Sequence, residues 1–150
     1  MSLLETIQKD SFAAAKAGKS VESDILKIAL SSLKNAQISK GASDELSEEE
    51  EVKIVFGESK KIRDSIEQYE GGGRQDLADR EKEQLAVIER YLPKQADESE
   101  VRSVVSAIIE ETGATGIASM GMVMGNTMKK LQGKADGKLV SDIVKEMLSQ

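Results

Sequence analysis

The chain of 150 residues has no cysteine, no histidine and no tryptophan. Without thiol or imidazole, Cys–His nucleophiles, histidine general bases and ordinary zinc sites are excluded, because the atoms they need do not exist. No disulfide can form, which is compatible with a cytoplasmic location. Two phenylalanines and two tyrosines leave little for stacking single-stranded bases. No apolar run approaches the roughly 18 residues of a membrane span. The opening M-S-L-L-E-T-I-Q-K-D lacks the basic region and apolar run of a signal peptide. A soluble protein is expected, with no membrane partner, no metal and no cofactor.

What is present is helix-forming sequence. No segment sustains the period-two alternation of a strand, so the fold class is all-α. Ser2 and Glu5 have capping-box spacing, followed by Leu4, Ile7, Ser11 and Ala14 at helical steps as far as Gly18. A second helix from Ser20 places Ile25, Ile28, Ala29, Leu33 and Ala36 on one stripe and stops at Gly41; Ala42 to Leu46 reads as a loop. Ser47 and Glu50 form another box, ahead of a long helix with Val52, Val55, Ser59, Ile62, Ile66 and Tyr69 on its stripe. Gly71-Gly72-Gly73 breaks it. Leu77, Glu81, Leu85, Ile88 and Leu92 mark a fourth helix, ended by Pro93, the single proline.

Asp97 and Glu100 then cap a fifth helix carrying Val101, Val104, Val105 and Ile108 and closed by Gly113. A sixth starts near Thr115 to Ala118, and a seventh runs from about Gly137 through Val140, Ile143, Val144 and Met147 to the C-terminus. The proline divides this into an N-terminal bundle of about four helices, residues 1–93, and a smaller three-helix domain, residues 94–150.

The formal charge of −6 argues against a wholly basic, indiscriminate nucleic-acid surface, but the charge is uneven. Asp44 to Glu51 holds six acids and no base, whereas Met120 to Val140 holds four lysines against one aspartate. The latter stretch predicts a helix, a glycine-bracketed turn and a second helix. Met120, Val123, Met124, Met128 and Leu131 share one face, read as core, since methionine fills irregular gaps. Gly121, Gly125 and Asn126 lie opposite, and Met122 is off the apolar stripe, a candidate for exposure and partner contact. Lys129 and Lys130 suit the negative end of the helix dipole. Gly133 suits a turn with positive φ, and Asp136 suits the cap of the last helix, flanked by Lys134 and Lys138. Glycine within a helix costs about 1 kcal/mol relative to alanine. Close approach of a neighbouring helix, or of an RNA backbone, would offset that at Gly121, Gly125, Gly133 and Gly137.

Gly133 to Leu139 has the look of a phosphate-binding P-loop but fails on glycine spacing, on Leu139 in place of Ser or Thr, and on the absence of a preceding strand. Lys61 and Ser65, an i, i+4 pair, are the one Ser–Lys arrangement considered, and a helical surface supplies no oxyanion hole. The acids of Asp44 to Glu51 read as caps and solubility rather than as a metal site. Lys60, Lys61, Arg63 and Arg74 bracket the triglycine break; ion pairs to Asp64, Glu67 and Glu70 would explain them, and Arg63 and Arg74 are secondary candidates for RNA contact.

Lys61-Ile-Arg-Asp-Ser-Ile-Glu-Gln-Tyr69, Gly73-Arg74-Gln75-Asp76-Leu77, Tyr91-Leu92-Pro93, Gly113-Ala114-Thr115, Met120-Gly121 with Val123-Met124-Gly125, and Gly133 to Val140 resemble the YqeY family in order and spacing. The resemblance covers essentially the whole chain. It implies an N-terminal helical domain joined to a smaller C-terminal one. The family shares its module with the tail of GatB, a subunit of the tRNA-dependent amidotransferase, a carbon–nitrogen ligase with glutamine as amido donor. A similar module is appended to some glutaminyl-tRNA synthetases. There the implied task is to grip tRNA, with the chemistry in other domains.

This sequence departs from the family pattern at Met122 and Gln132, where a basic residue is usual, at Lys134 for arginine and at Lys129 for proline. The resemblance thus implies a tRNA-associated module of translation without catalytic residues of its own. Its docking residues would be Gly121, Met122, Gly125, Lys129, Lys130, Lys134, Asp136, Gly137 and Lys138. A module that binds amidotransferase or aminoacyl-tRNA synthetase proteins is the alternative, and an independent enzyme the third reading.

Overall fold

Ser2 starts the first helix as its spacing predicts. Its hydroxyl accepts the Glu5 N–H (3.1 Å), and the Glu5 carboxylate accepts the Ser2 N–H (2.9 Å), so two donors that the helix itself cannot satisfy are paired. In the computed structural model, which describes residues 1–41 and 43–149, this helix is α1 (Leu3–Lys16). It is followed by α2 (Ser20–Lys40), α3 (Glu48–Gly71), α4 (Gln75–Glu89), α5 (Glu98–Thr112), a 3-10 turn (Ile117–Ser119), α6 (Met120–Lys130) and α7 (Gly137–Leu148). No strand occurs among the described residues. In the expected loop from Ala42 to Leu46, Ala42 lies outside the described residues, as does Gln150 at the C-terminus.

The chain divides into two compact units, Met1–Leu92 and Pro93–Gln150. Each has its own core. In the first, Ile7, Ile25, Leu26, Ala29, Leu33, Val55, Ile62, Val87, Ile88 and Leu92 are buried together. The α2 stripe is therefore rotated from the expected one: Ile28 is 49% exposed, whereas Leu26 is fully buried. Leu26 and Ile28 flank the row of Ile25, Ala29 and Leu33 on opposite sides, so spacing does not rank them, and contact with the neighbouring helices decides between them. At the triglycine, α3 runs through Gly71 and is closed by Gly72, while Gly73 takes φ +74°, a conformation costly for other residues. Helix α4 ends at Glu89, one turn before Pro93, and residues 90–92 form a turn.

The first unit also ties its helices together with polar groups below the surface. Glu51 is 4% exposed, and its Oε2 accepts the Leu4 N–H of α1 at 2.6 Å. Glu58 is 7% exposed; its Oε1 accepts the Ser32 hydroxyl of α2 (2.6 Å) and the Lys61 ammonium (3.0 Å). The Tyr91 hydroxyl donates to Asp10 (2.6 Å), and burial together with that carboxylate pushes the phenol well above its usual range. Glu51 is thus no solvated capping acid: it is the buried acceptor for another helix.

In the second unit Val101, Val105, Ile108, Val123, Leu131, Ala135, Val140, Ile143, Val144 and Leu148 are buried together. Helix α5 is capped by Asp97, whose carboxylate accepts the Glu100 N–H (2.8 Å). The expected sixth helix opens with the 3-10 turn, and α-helical geometry starts only at Met120.

Candidate nucleic-acid interface

Three residues one turn apart, Val123, Thr127 and Leu131, form the buried row of α6 and of the turn after it. Thr127 is the member that an apolar stripe does not reveal. Its hydroxyl donates to the Val123 carbonyl (2.8 Å) and so is satisfied within its own helix. Met120, Met124 and Met128 pack half-buried on the borders of this row. The methionines are core-lining, with Val123, Thr127 and Leu131 as the centre.

The other side of α6 is open. Gly121, Met122 and Gly125 are exposed, Met122 at 47%, and Ile117 just before them is 48% exposed. A Cβ built on Gly121 or Gly125 meets nothing within 4 Å. The expectation that these glycines admit a neighbouring helix of the same chain is therefore not met among the described residues. At Gly137 a Cβ would reach only the Met128 Cε, at 4.0 Å, an ordinary contact.

The corner between α6 and α7 follows from local chemistry. Lys129 and Lys130 occupy the last turn of α6, where the dipole favours cations. The Leu131 N–H donates to the Thr127 carbonyl (2.9 Å), Gly133 takes φ +72°, and the Lys134 N–H returns to the Leu131 carbonyl (2.8 Å). Asp136 then adopts extended backbone, and its carboxylate faces the Lys138 N–H at 3.4 Å, capping α7. The α7 N-terminus accordingly already carries a carboxylate, so an anion at this corner meets lysines rather than bare helix amides. Lys129, Lys130, Lys134 and Lys138 are all exposed or half-exposed around it. Lys130 lies 4.0 Å from Glu111, a pair open to solvent on both sides and worth little. No ion pair among the described residues engages Lys129 or Lys134.

The corner is also held from a direction the sequence does not announce. The Gln95 side-chain amide donates to the Gly133 carbonyl (2.7 Å) and the Pro93 carbonyl (3.0 Å), and the Ala96 N–H donates to the Lys134 carbonyl (2.8 Å). Gln95 sits in the segment read as a boundary; nothing in its spacing points to a turn 38 positions away.

The secondary candidates belong to the first unit and have partners there. Arg63 on α3 is bonded to Glu89 at 3.0 Å, with its guanidinium 5.7 Å from the centre of the Phe56 ring. Arg74 pairs with Asp76 at 3.3 Å; hydrogen bonding between them raises the guanidinium and lowers the carboxyl. Lys61 pairs with Glu58 and Lys82 with Glu70. The expected partners of Arg63, Arg74 and Lys61, namely Asp64, Glu67 and Glu70, are thus replaced by Glu89, Asp76 and Glu58. With its ammonium bonded to Glu58, Lys61 is not poised as a base for Ser65. No group of three or more acids that could hold a metal ion occurs among the described residues, and none of their helices is long and apolar enough to cross a membrane.

Comparison with known proteins gives the chain a context. A stretch of 74 residues is 38% identical to a subunit of the glutamyl-tRNA(Gln) amidotransferase of Thermococcus sibiricus, covering 47% of this chain and 12% of that protein. The corresponding amidotransferase protein of Aeropyrum pernix is 39% identical over 61 residues, 41% of this chain and 10% of that protein. That of Methanocaldococcus jannaschii is 39% identical over 61 residues, 38% of this chain and 10% of that protein. The chain thus matches about a tenth of the length of these relatives and is related to one part of a far longer amidotransferase protein. The family model described as Yqey-like protein matches residues 4–148, nearly the full length, and the chain belongs to the YqeY family.

Proposed function

We propose that this chain is a tRNA-docking module of the amidotransferase type, acting in the cytoplasm and contributing no catalytic group of its own. The observation that carries the reading is the α6–α7 corner. Four lysines open to solvent surround one turn, beside a helix face on which a Cβ added at Gly121 or Gly125 meets nothing within 4 Å among the described residues. In a protein of net charge −6, such a local cluster steers a polyanion within a Debye length, about 8 Å at physiological salt. Lys129, Lys130, Lys134 and Lys138 meet phosphates, while Gly121 and Gly125, having no side chain, let the RNA backbone approach α6 closely. Met122 adds an apolar contact. Asp136 and Gly137 set the turn that spaces the lysines. Arg74, whose side chain is 61% exposed, is the more accessible of the two secondary candidates, since that of Arg63 is 27% exposed. We further propose that residues 1–93 and 94–150 are separate helical domains, each formed around its own core. The names of the amidotransferase relatives support the tRNA context.

Total tRNA, titrated across a salt series, tests this. Micromolar or tighter binding should weaken as salt rises. The triple variant Lys129→Glu, Lys130→Glu, Lys134→Glu should abolish it, and neutral replacements of the same three should lower the slope of log K against log salt by about three. No binding by the wild type at low salt overturns the reading. A second reading, docking on amidotransferase or synthetase proteins, is favoured by the exposure of Met122 and Ile117. It predicts a protein complex that barely responds to salt.

A further inference from the structure

The lysine corner has a further wall that its own sequence segment does not contain. Pro93 to Ala96 belongs to the second unit and runs beside the turn between α6 and α7. It is fixed there by two hydrogen bonds, from the Ala96 N–H to the Lys134 carbonyl (2.8 Å) and from the Gln95 amide to the Gly133 carbonyl (2.7 Å), while the same amide closes back on the Pro93 carbonyl (3.0 Å). Gln95 and Ala96 are half-buried against the turn, whereas Lys94, the residue before them, is exposed. No ion pair among the described residues engages Lys94. The two residues that follow it are bonded to the backbone of residues 133 and 134, so the Lys94 backbone lies beside the turn that carries Lys134 although 40 positions separate them.

We infer that Lys94 is a further phosphate contact of the docking face, so that the entry segment of the second unit and the α6–α7 turn bind one RNA backbone together. This rests on the proposed tRNA reading and extends it to a segment outside Met120 to Val140. Gln95 supports the arrangement by filling the Gly133 carbonyl and closing back on Pro93, which fixes the backbone on both sides of Lys94. A lysine on a pinned segment loses less freedom on binding than one on a loose tail, so its contact with a phosphate is retained. The chemistry is a cation meeting a phosphodiester, without base reading, and its signature is in the salt dependence.

The experiment compares wild type, Lys94→Gln, Lys94→Arg and Lys145→Gln, full-length, for binding of total tRNA across a salt series. Lys145, exposed in the last turn of α7, undergoes the same loss of charge at the far end of that helix from the corner. The expected result is a slope of log K against log salt lower by about one in Lys94→Gln. Lys94→Arg should keep the wild-type slope, and so should Lys145→Gln. If the wild type binds and Lys94→Gln has an unchanged slope, the inference is overturned while the corner itself stands. Equal losses in Lys94→Gln and Lys145→Gln also overturn it, because total charge would then be the cause. If the wild type does not bind tRNA at low salt, the docking reading falls and this inference with it. Both positions are exposed, so the variants keep the fold, and the melting temperature of each checks that they do.

Discussion

The two units differ in how far their buried polar groups reach. In Met1–Leu92 the buried Ser59 stays within its own helix, its hydroxyl donating to the Phe56 carbonyl (2.7 Å), but other groups join different helices: Glu51 on α3 accepts the Leu4 N–H of α1, Glu58 on α3 accepts the Ser32 hydroxyl of α2, and the half-buried Tyr91 reaches back to Asp10. In Pro93–Gln150 the buried threonine, Thr127, bonds to the carbonyl one turn earlier in its own helix. Its core cluster is aliphatic, with methionines at the edge. The first unit thus directs polar chemistry inward, to fix how its helices pack. The second packs on apolar contacts and presents lysines and bare glycines outward. That difference is in keeping with the docking role proposed for the second unit.

The sharpest way to break the comparison is to remove one buried polar group from each unit. Glu51→Ala leaves the Leu4 N–H without its acceptor and opens a hole beneath α1. The expected loss is about 1–3 kcal/mol of stability, the range for a hydrogen bond to a charged group or an unsatisfied buried donor. Thr127→Val removes a bond that the helix does not depend on, since the Val123 carbonyl retains its helical partner, and should cost less than about 1 kcal/mol. Urea unfolding of both variants provides the check. Equal losses would show that the distinction between ties across helices and ties within a helix has no energetic content.

A smaller effect sharpens the functional half of the comparison. Gly121 and Gly125 lie within α6 at negative φ, and an added Cβ meets nothing within 4 Å at either. Gly121→Ala and Gly125→Ala should each stabilise the second unit by about 0.5–1 kcal/mol, through the lower entropy of the unfolded chain. If the glycine face meets RNA backbone, the same double variant should bind tRNA more weakly while melting higher. Stabilisation with unchanged tRNA binding would take the glycines out of the docking face and leave the lysines alone.

How much of this is legible in the sequence follows the range of the interactions. Ser2 with Glu5, Ser47 with Glu50, and Asp136 ahead of α7 are readable because a cap and its target lie within three residues. The all-α class and the lysine corner are readable for the same reason: both are properties of short windows. Glu51 is not, because in a run of acids at a helix start nothing local separates the one that turns inward from those that face water. Ile28 and Leu26 exchange places because the two positions differ only in what packs over them. Gln95 escapes notice because its partner is a carbonyl, which every residue has, at a distance in sequence that no pattern marks. The candidate site is thus visible as composition, and the segment that frames it emerges only from the fold.

The smallest predicted effect concerns acid, and it belongs to the first unit. The Lys40 ammonium lies 2.7 Å from Glu50 Oε2; its hydrogen bond, with that from the Ser47 N–H, holds the Glu50 carboxyl at about 2 against an ordinary 4.5. Because the folded-state value is the lower one, Glu50 contributes stability that is fully present above about pH 4.5. That contribution is lost as the pH falls towards about 2, when the carboxylate of the capping box takes up a proton. The pair is exposed, so salt should shrink the effect, and it is best sought at low ionic strength. Lys40→Met should move the Glu50 titration, followed by carboxyl NMR, upward towards 4.5 and flatten the pH dependence of stability in that window. A titration that stays near 2 in Lys40→Met would assign the shift to the capping box alone. The acid response would then report how α3 begins rather than how α2 is tied to it. The Lys40–Glu50 contact would then be no energetic tie between α2 and α3.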